Sequence, residues 1–436
     1  MDLLPHQREG VSWMIKRENS KISGGILCDE MGLGKTIQTI YTIVENVKNH
    51  TLIVVPKSIV DQWVSELNKF APSLSVCVYD GSHRKFFTSD VCVCPYSVVV
   101  DLIDKTWDRI VLDEGHEIRN QGSLVHKTCM NLCAKTKWIL TGTPVFNRLK
   151  DFVSLCKFVG VSQKKVQAFF DDIKNEYVLR RVKSDVIDIV PYDYENVEIE
   201  MSDKEREIYS EIDESMDVLE YILRCRQVCA WPQLYYDGIH KKYGTKRLVW
   251  KGLTAKFKYL LKSIQMHPNE KSLVFTQFRG ESEAIMIRIQ HFLKREVFML
   301  DGNTENRDEV IQQFKNSSEG SVFIIQIKTG GVGLNLQEAT RVYIMQPAWN
   351  PATELQAIAR SHRSNQKKKV YVKKLIYVGP DIVETELVEL QNIKSKLCSQ
   401  VLGDDSHNIP KTNTVSNFTI RLGKNLYDII NEKDSD

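Results

Sequence analysis

The chain has 436 residues, close to three times the ~150 residues of a typical domain, so two or three compact units are expected. Hydrophobic residues make up 42% and charged residues 26%, with 22 Gly and 12 Pro, which excludes collagen-like, low-complexity and wholly disordered classes. The 59 Lys plus Arg nearly balance the 56 Asp plus Glu, and the net charge of +3 by itself announces neither a nucleic acid nor a membrane partner.

Short β-branched apolar runs alternate with longer amphipathic segments along the first part of the chain. GGILCD at 24–29, TLIVVP at 51–56, SVCVYD at 75–80, RIVLDE at 109–114 and WILTGT at 138–143 predict strands separated by helices. That alternation argues for a parallel sheet covered on both faces. From about 145 to 255 the rhythm lapses and the pattern becomes helical. Ser202 followed by Glu205 fits a capping box, and Ile208, Ile212, Met216, Leu219 and Leu223 recur at helical spacing. The strand rhythm returns with SLVFTQ at 272–277, VFML at 297–300, VFIIQI at 322–327 and RVYIMQP at 341–347, giving a second α/β lobe. After about residue 402 the composition turns polar, which reads as a loose tail with one short helix near Leu426 to Ile430. The expected division is 1–185, an N-terminal nucleotide-binding lobe; 186–250, a helical insertion; 251–402, a C-terminal lobe; and 403–436, the tail.

The charge is unevenly distributed. Residues 251–400 hold 22 basic against 15 acidic side chains, whereas Asp188 to Glu220 holds 13 acidic and 2 basic. The acidic stretch reads as a solvated helix face. No apolar run is long enough to span a bilayer, and the charged N-terminus MDLLPHQREG is unlike a signal peptide. The ten cysteines include no C-x-x-C, so neither a zinc site nor a disulfide framework is suggested; Cys129/Cys133 and Cys225/Cys229 read as thiols four apart on helices. The expectation is a soluble intracellular protein, not secreted and without a membrane partner.

Three segments carry chemistry. DEMGLGKT at 29–36 follows a strand and opens a helical pattern, so free N–H groups and the backbone freedom of Gly32 and Gly34 would cradle phosphates. Lys35 would reach the β and γ phosphates of ATP, and Thr36 would hold Mg2+. Asp29 stands where a strict P-loop has its first Gly, and a chance G-K-T is the competing reading. At 110–116 a strand ends in Asp113-Glu114-Gly115-His116, whose carboxylates would face the crevice at the strand ends. Asp113 would hold Mg2+, and Glu114 would orient or deprotonate water; the competing reading is solvated acids. In the second lobe Arg360 and Arg363 lie three apart on an expected helix face, where they could place positive charge on leaving phosphates or simply be solvated.

Taken together these residues resemble the Swi/Snf-type branch of the superfamily-two DNA helicases and translocases, over about residues 3–403. The L-x-x-H-Q of Leu3 to Gln7 is similar to the family's adenine-reading element, with Gln7 the implied base contact. DEMGLGKT matches the family's form of the P-loop, in which the first Gly is not required. DEGHEIRN at 113–120 and LTGTPVFN at 140–147 resemble motifs II and III; LVFTQF at 273–278, KTGGVGLNL at 328–336 and PAWNPATELQAIARSHRSNQ at 347–366 resemble motifs IV, V and VI. LRRVKSDV at 179–186, LRCRQVCAWP at 223–232 and the brace-helix-like ELVELQNIKSKLCSQVLG at 386–403 are also family-typical. Asn365 replaces a usual Gly, Ile327 a usual Thr and Trp231 a usual His.

The resemblance implies two RecA-like lobes and ATP with Mg2+ in the crevice between them. Lys35, Thr36, Asp113 and Glu114 would come from one lobe, and Arg360 and Arg363 from the other; Gly333 would join the nucleotide-binding set. Lys57, Arg119, Lys328 and Asn335 are the implied contacts to a nucleic-acid backbone read without sequence preference. The expected activity is a DNA-stimulated ATPase that moves along double-stranded DNA as a monomeric, motor-only unit, working on transcription or chromatin complexes in a nucleus or at a viral replication site. The rivals are a strand-separating DNA or RNA helicase, and a viral-type ATPase factor for transcription termination or release.

Overall fold

The computed structural model describes residues 3–81, 89–144, 149–327, 329, 334–363 and 366–403. The chain forms two compact units that divide after Asp188; Lys396–Gly403 return to the first unit, and Ile189–Ser395 form the second. The polar tail beyond 403, with its expected helix, lies outside the described residues.

The first unit is built on seven strands, β1 (Gly24–Leu27), β2 (Thr51–Val55), β3 (Val76–Val78), β4 (Val91–Pro95), β5 (Thr106–Asp113), β6 (Cys133–Leu140) and β7 (Val178–Leu179). All pairings are parallel and their order is β3-β4-β2-β5-β6-β1-β7. Strands β1, β2 and β4 are buried at every position, as a parallel sheet covered on both faces requires. Helix α1 (Pro5–Glu18) opens with Pro at its first position, and α2 (Lys35–Glu45) and α3 (Val60–Phe70) follow β1 and β2. Ile26, Leu52, Ile110, Leu112, Ile139 and Phe152 form the centre of the core.

The second unit has six strands, β8 (Asp193–Ile199), β9 (Lys271–Thr276), β10 (Val297–Leu300), β11 (Val322–Gln326), β12 (Ala339–Ile344) and β13 (Tyr371–Tyr377), in the order β10-β11-β9-β12-β13-β8 and again wholly parallel. Both units are thus α/β, with parallel sheets of the RecA-like kind.

Three local expectations change. Strand β8 lies inside the stretch read as helical: Asp193, Glu195 and Glu198 are its exposed positions, the first two on one face and Glu198 on the other. Its acids are not a solvated helix face, because Asp193 pairs with Lys369 at 2.9 Å and Glu195 with Lys373 at 3.1 Å beside the neighbouring β13. The Ile208 to Leu223 periodicity is not one helix; Asp203–Ser210 ends and Val218–Ala230 begins afresh with Asp217 accepting the Leu219 N–H. The Ser202–Glu205 capping box is present as read. Cys133 opens β6 rather than extending the helix of Cys129.

One buried carboxyl sets a pH dependence. Glu281 caps the helix Arg279–Arg288 by accepting the Gln277 and Phe278 N–H groups at 3.1 and 3.4 Å, and it is fully buried. Burial pushes its carboxyl up from 4.5 to about 7, against the pull of the Lys256 charge. The folded state therefore keeps a proton that the unfolded chain releases near 4.5, so stability falls as pH rises from about 4.5 through about 7. Glu281→Gln keeps the acceptor and removes the titration. Urea midpoints measured across this range should flatten in the variant, and parallel curves for parent and variant would refute the assignment.

Candidate nucleotide-binding site

The register of the first sheet brings four strand ends into one row. Leu27 of β1 pairs with Leu140 of β6 and Leu179 of β7, and Leu140 pairs in turn with Asp113 of β5. The residues that follow each end therefore emerge side by side: Cys28–Asp29, Thr141–Gly142, Arg180–Arg181 and Glu114. Ligands in open parallel sheets bind outside these carboxyl ends.

From β1 the chain turns through Cys28–Gly34 into α2. Gly32 and Gly34 have φ of +93° and +81°, the left-handed region that costs a side chain strain. A Cβ at Gly34 would also lie 2.5 Å from Gln7 Nε2. Lys35 is the first residue of α2 and Thr36 the second, so the unpaired N–H groups of the first turn face out of the loop. The Lys35 ammonium donates to the Asp29 carbonyl at 2.8 Å, and a Cβ on Gly142 would lie 3.7 Å from it, so the loop after β6 meets the P-loop lysine.

Asp113 ends β5 in a buried setting. Its Oδ2 accepts the Trp63 indole N–H at 2.7 Å and its Oδ1 the Glu114 N–H at 2.9 Å, while the Tyr96 hydroxyl donates to its carbonyl at 2.9 Å. Burial, then the charge of Glu114, raises its carboxyl to about 6, opposed by those two N–H donors and by Lys35. Glu114 has φ +48°, a conformation uncommon for a residue with a side chain, and its Oε2 lies 3.3 Å from His116 Nδ1.

The residues present fit a magnesium nucleotide. Two left-handed glycines, a helix N-terminus and an ammonium form a phosphate cradle, and each Asp113 oxygen has one protein donor and so retains acceptor capacity. Among the described residues no group of three His, Cys, Asp or Glu could hold a metal by itself. A divalent ion here would rest on Thr36, Asp113 and the nucleotide's own phosphates, as magnesium does in such sites.

Gln7 packs against the same loop: its Nε2 donates to the Leu33 carbonyl at 3.4 Å and its Oε1 accepts the Leu4 N–H at 3.0 Å. Lys57 is exposed in the single turn Lys57–Ile59 beyond β2, and Arg119, half-buried, donates to the His116 carbonyl at 3.0 Å.

Several residues were missed from sequence. Asp29, the residue that breaks the strict P-loop pattern, is wholly buried and held by Arg181, with Nε to Oδ1 at 3.0 Å and a terminal nitrogen to Oδ2 at 2.5 Å, and by Gln38 at 3.1 Å. Arg180 donates to the Cys28 carbonyl at 2.7 Å and to that of Gly142 at 3.3 Å. The Lys183 N–H donates to the Glu30 carboxylate at 2.7 Å. The LRRVK run thus brackets the P-loop. Its signal was two arginines directly after an apolar pair, with no local pattern to say what they meet.

In the second unit the expected helix under the arginines is shorter than read. It spans Pro351–Ile358, capped by the Asn350 side chain accepting the Ala352 N–H at 2.8 Å, and Arg360 and Arg363 lie beyond its end rather than three apart on its face. Arg360 is buried, and its carbonyl accepts the Leu336 N–H at 2.9 Å. Arg363 donates to the carbonyls of Ala359 at 3.1 Å and Leu334 at 2.7 Å. The loop before this helix is set by buried ionic groups. Glu354 accepts Lys374 at 3.2 Å, Gln391 at 2.6 Å and the Ala348 N–H at 2.8 Å, and Lys256 donates to Glu384 and to the Met345 carbonyl, each at 2.7 Å. Asn335 is exposed. Lys328 and Gly333, expected for backbone and nucleotide contacts, lie outside the described residues, as does Asn365.

Two family models match the chain, the SNF2-related domain over residues 6–176 and the helicase conserved C-terminal domain over 255–365, with the P-loop and Asp113 in the first and the two arginines in the second. The chain belongs to the Swi/Snf-type branch of the superfamily-two helicase-like ATPases. This Swi/Snf-type chain is 31% identical to an uncharacterized ATP-dependent helicase of Mycoplasma pneumoniae over 92% of its length and 42% of that protein. It is 28% identical to the ISWI chromatin-remodeling complex ATPase ISW1 of Saccharomyces cerevisiae, over 94% of this chain and 41% of the relative. A probable global transactivator of Orgyia pseudotsugata multicapsid polyhedrosis virus is 28% identical over 92% of this chain and 91% of its own length. The chain therefore spans about two fifths of the first two relatives and nearly all of the viral one. No helix among the described residues is long and apolar enough to cross a membrane.

Proposed function

We propose that this chain is a DNA-stimulated ATPase that uses hydrolysis to move along double-stranded DNA. The observation that carries the reading is the row of strand ends at Leu179, Leu27, Leu140 and Asp113, which delivers a phosphate cradle, a buried aspartate and an adjacent glutamate to one edge of a sheet. Lys35 holds the β and γ phosphates; Thr36 and Asp113 would hold magnesium, which when bound supplies neutralising charge on the phosphates. Glu114 orients the attacking water and takes its proton, and Arg360 and Arg363 of the second unit supply positive charge. The basic excess of 251–400, with Lys57, Arg119, Lys328 and Asn335, supports contact with a phosphate backbone rather than with base edges.

The assignment is tested by steady-state hydrolysis and nucleotide binding on the same variants. Glu114→Gln should lower turnover by about 10²-fold or more while binding ATP as the parent does, and Lys35→Ala should lose both. Hydrolysis at the parent rate in Glu114→Gln would remove Glu114 from the role. Arg363→Ala should lower turnover with little change in nucleotide affinity. A second reading, an ATPase factor of transcription, is favoured by the viral transactivator's near-complete overlap with this chain; ATPase equally fast with and without DNA would support it. Displacement of a labelled strand from a tailed duplex would instead indicate a strand-separating helicase.

A further inference from the structure

Ten cysteines are distributed over the chain; eight are buried and Cys133 is exposed. The exception is Cys77. It lies half-buried on β3, the edge strand of the first sheet, and its partner in the parallel ladder is Cys92 of β4. Residues directly paired across adjacent strands share a face, and strands run about 4.8 Å apart, within the ~4.4–6.8 Å Cα separation that a disulfide spans. Cys92 belongs to the buried core cluster and Cys77 packs against it, so both thiols are on the core-facing side. By contrast Cys92 and Cys94 are two apart on a single strand, and the buried Cys225 and Cys229 sit a turn apart on one helix.

We infer that Cys77 and Cys92 form an oxidation-sensitive dithiol, a modification site at which hydrogen peroxide closes a disulfide between β3 and β4. The two sulfurs have complementary roles. The Cys92 thiol hydrogen-bonds to Cys77 and holds the Cys77 thiol down at about 7, whereas that same bond, and then burial, push Cys92 up. Burial also raises Cys129 and Cys156 to about 12, so these stay protonated. The Cys77 thiolate attacks the terminal peroxide oxygen; an S–O bond forms, the O–O bond breaks, and the departing oxygen takes a proton and leaves as water. The Cys92 sulfur then attacks the resulting sulfenic acid, forming the S–S bond as hydroxide leaves and carries away the Cys92 proton as a second water. Two thiols are oxidised by two electrons in total and one peroxide is reduced, with no further reactant.

The test uses the full chain, exposed to equimolar hydrogen peroxide, alkylated, digested and read by mass spectrometry. The expected result is a peptide pair linked through Cys77 and Cys92 as the dominant oxidised product, lost on treatment with dithiothreitol. In Cys92→Ser the sulfenic acid should persist at Cys77 and be trapped by dimedone. In Cys77→Ser neither product should form. Because the parent protein alone decides the linkage, a variant that fails to fold does not rescue the proposal. Both thiols remaining alkylatable after peroxide, or linkage through other cysteines, would overturn it.

Discussion

Arg109→Met should cost the first unit about 3–5 kcal/mol of stability, the usual consequence of leaving a buried carboxylate without its cation. Arg109 is fully buried in β5 and forks onto Glu18, the last residue of α1, with Nε to Oε1 and a terminal nitrogen to Oε2 both at 2.6 Å. The same guanidinium donates to the Asn46 carbonyl at 2.7 Å and to the Thr51 hydroxyl at 3.3 Å, so it ties together α1, the end of α2, β2 and β5. Glu18 would retain the Trp138 indole N–H at 2.9 Å and the Asn46 amide at 2.6 Å, which satisfy lone pairs but do not neutralise its charge. Removing both partners, as in Glu18→Gln with Arg109→Met, should therefore cost less than Arg109→Met alone. Hydrogen exchange in β5 and β6 measures this locally. A loss below about 1 kcal/mol in the single variant would show that water enters the site and screens Glu18.

Arg181→Ala should abolish nucleotide binding without touching any residue of the P-loop pattern. Asp29 has no exposed surface, and its two oxygens depend on the Arg181 fork and on Gln38. Without the guanidinium the buried carboxylate must either protonate or pull the loop toward water, and either outcome moves the Asp29 carbonyl that receives the Lys35 ammonium. Arg181→Lys keeps the charge but loses the two-pronged geometry, so its affinity should fall between parent and Arg181→Ala. Titration with a fluorescent ATP analogue decides this. Parent affinity in Arg181→Ala would mean that the loop is held by its glycines and Gln38 alone.

How much of this was legible in the sequence depended on whether the cause was local. The P-loop and Asp113-Glu114 were readable because strand, turn and helix signals adjoin them, and the Ser202–Glu205 cap because its two residues are three apart. The parallel sheets followed from continuous apolar runs, buried on both faces. The roles of Arg180 and Arg181 were not readable, since β7 is two residues long and has no period of its own; only its pairing with β1 carries them to the P-loop. Trp63 likewise shows no sequence sign that its indole reaches Asp113, fifty positions away. Strand β8 was hidden by acids whose partner lysines are Lys373 on β13 and Lys369 just before it. The helix before Arg360 stops without a breaker residue: the Arg360 carbonyl pairs with the Leu336 N–H, and His362 Nε2 lies 2.7 Å from the Val190 carbonyl, so distant backbone claims these residues.

The most direct test of the motor reading is displacement of a triplex-forming third strand from one end of a duplex, followed with ATP, with ADP and with the Glu114→Gln chain at one stated salt concentration. The account predicts displacement by the parent chain only with ATP, with the two strands of the duplex left paired, and none with Glu114→Gln. ATP hydrolysis by the parent chain at an unchanged rate with or without duplex, and a third strand left in place, would contradict it.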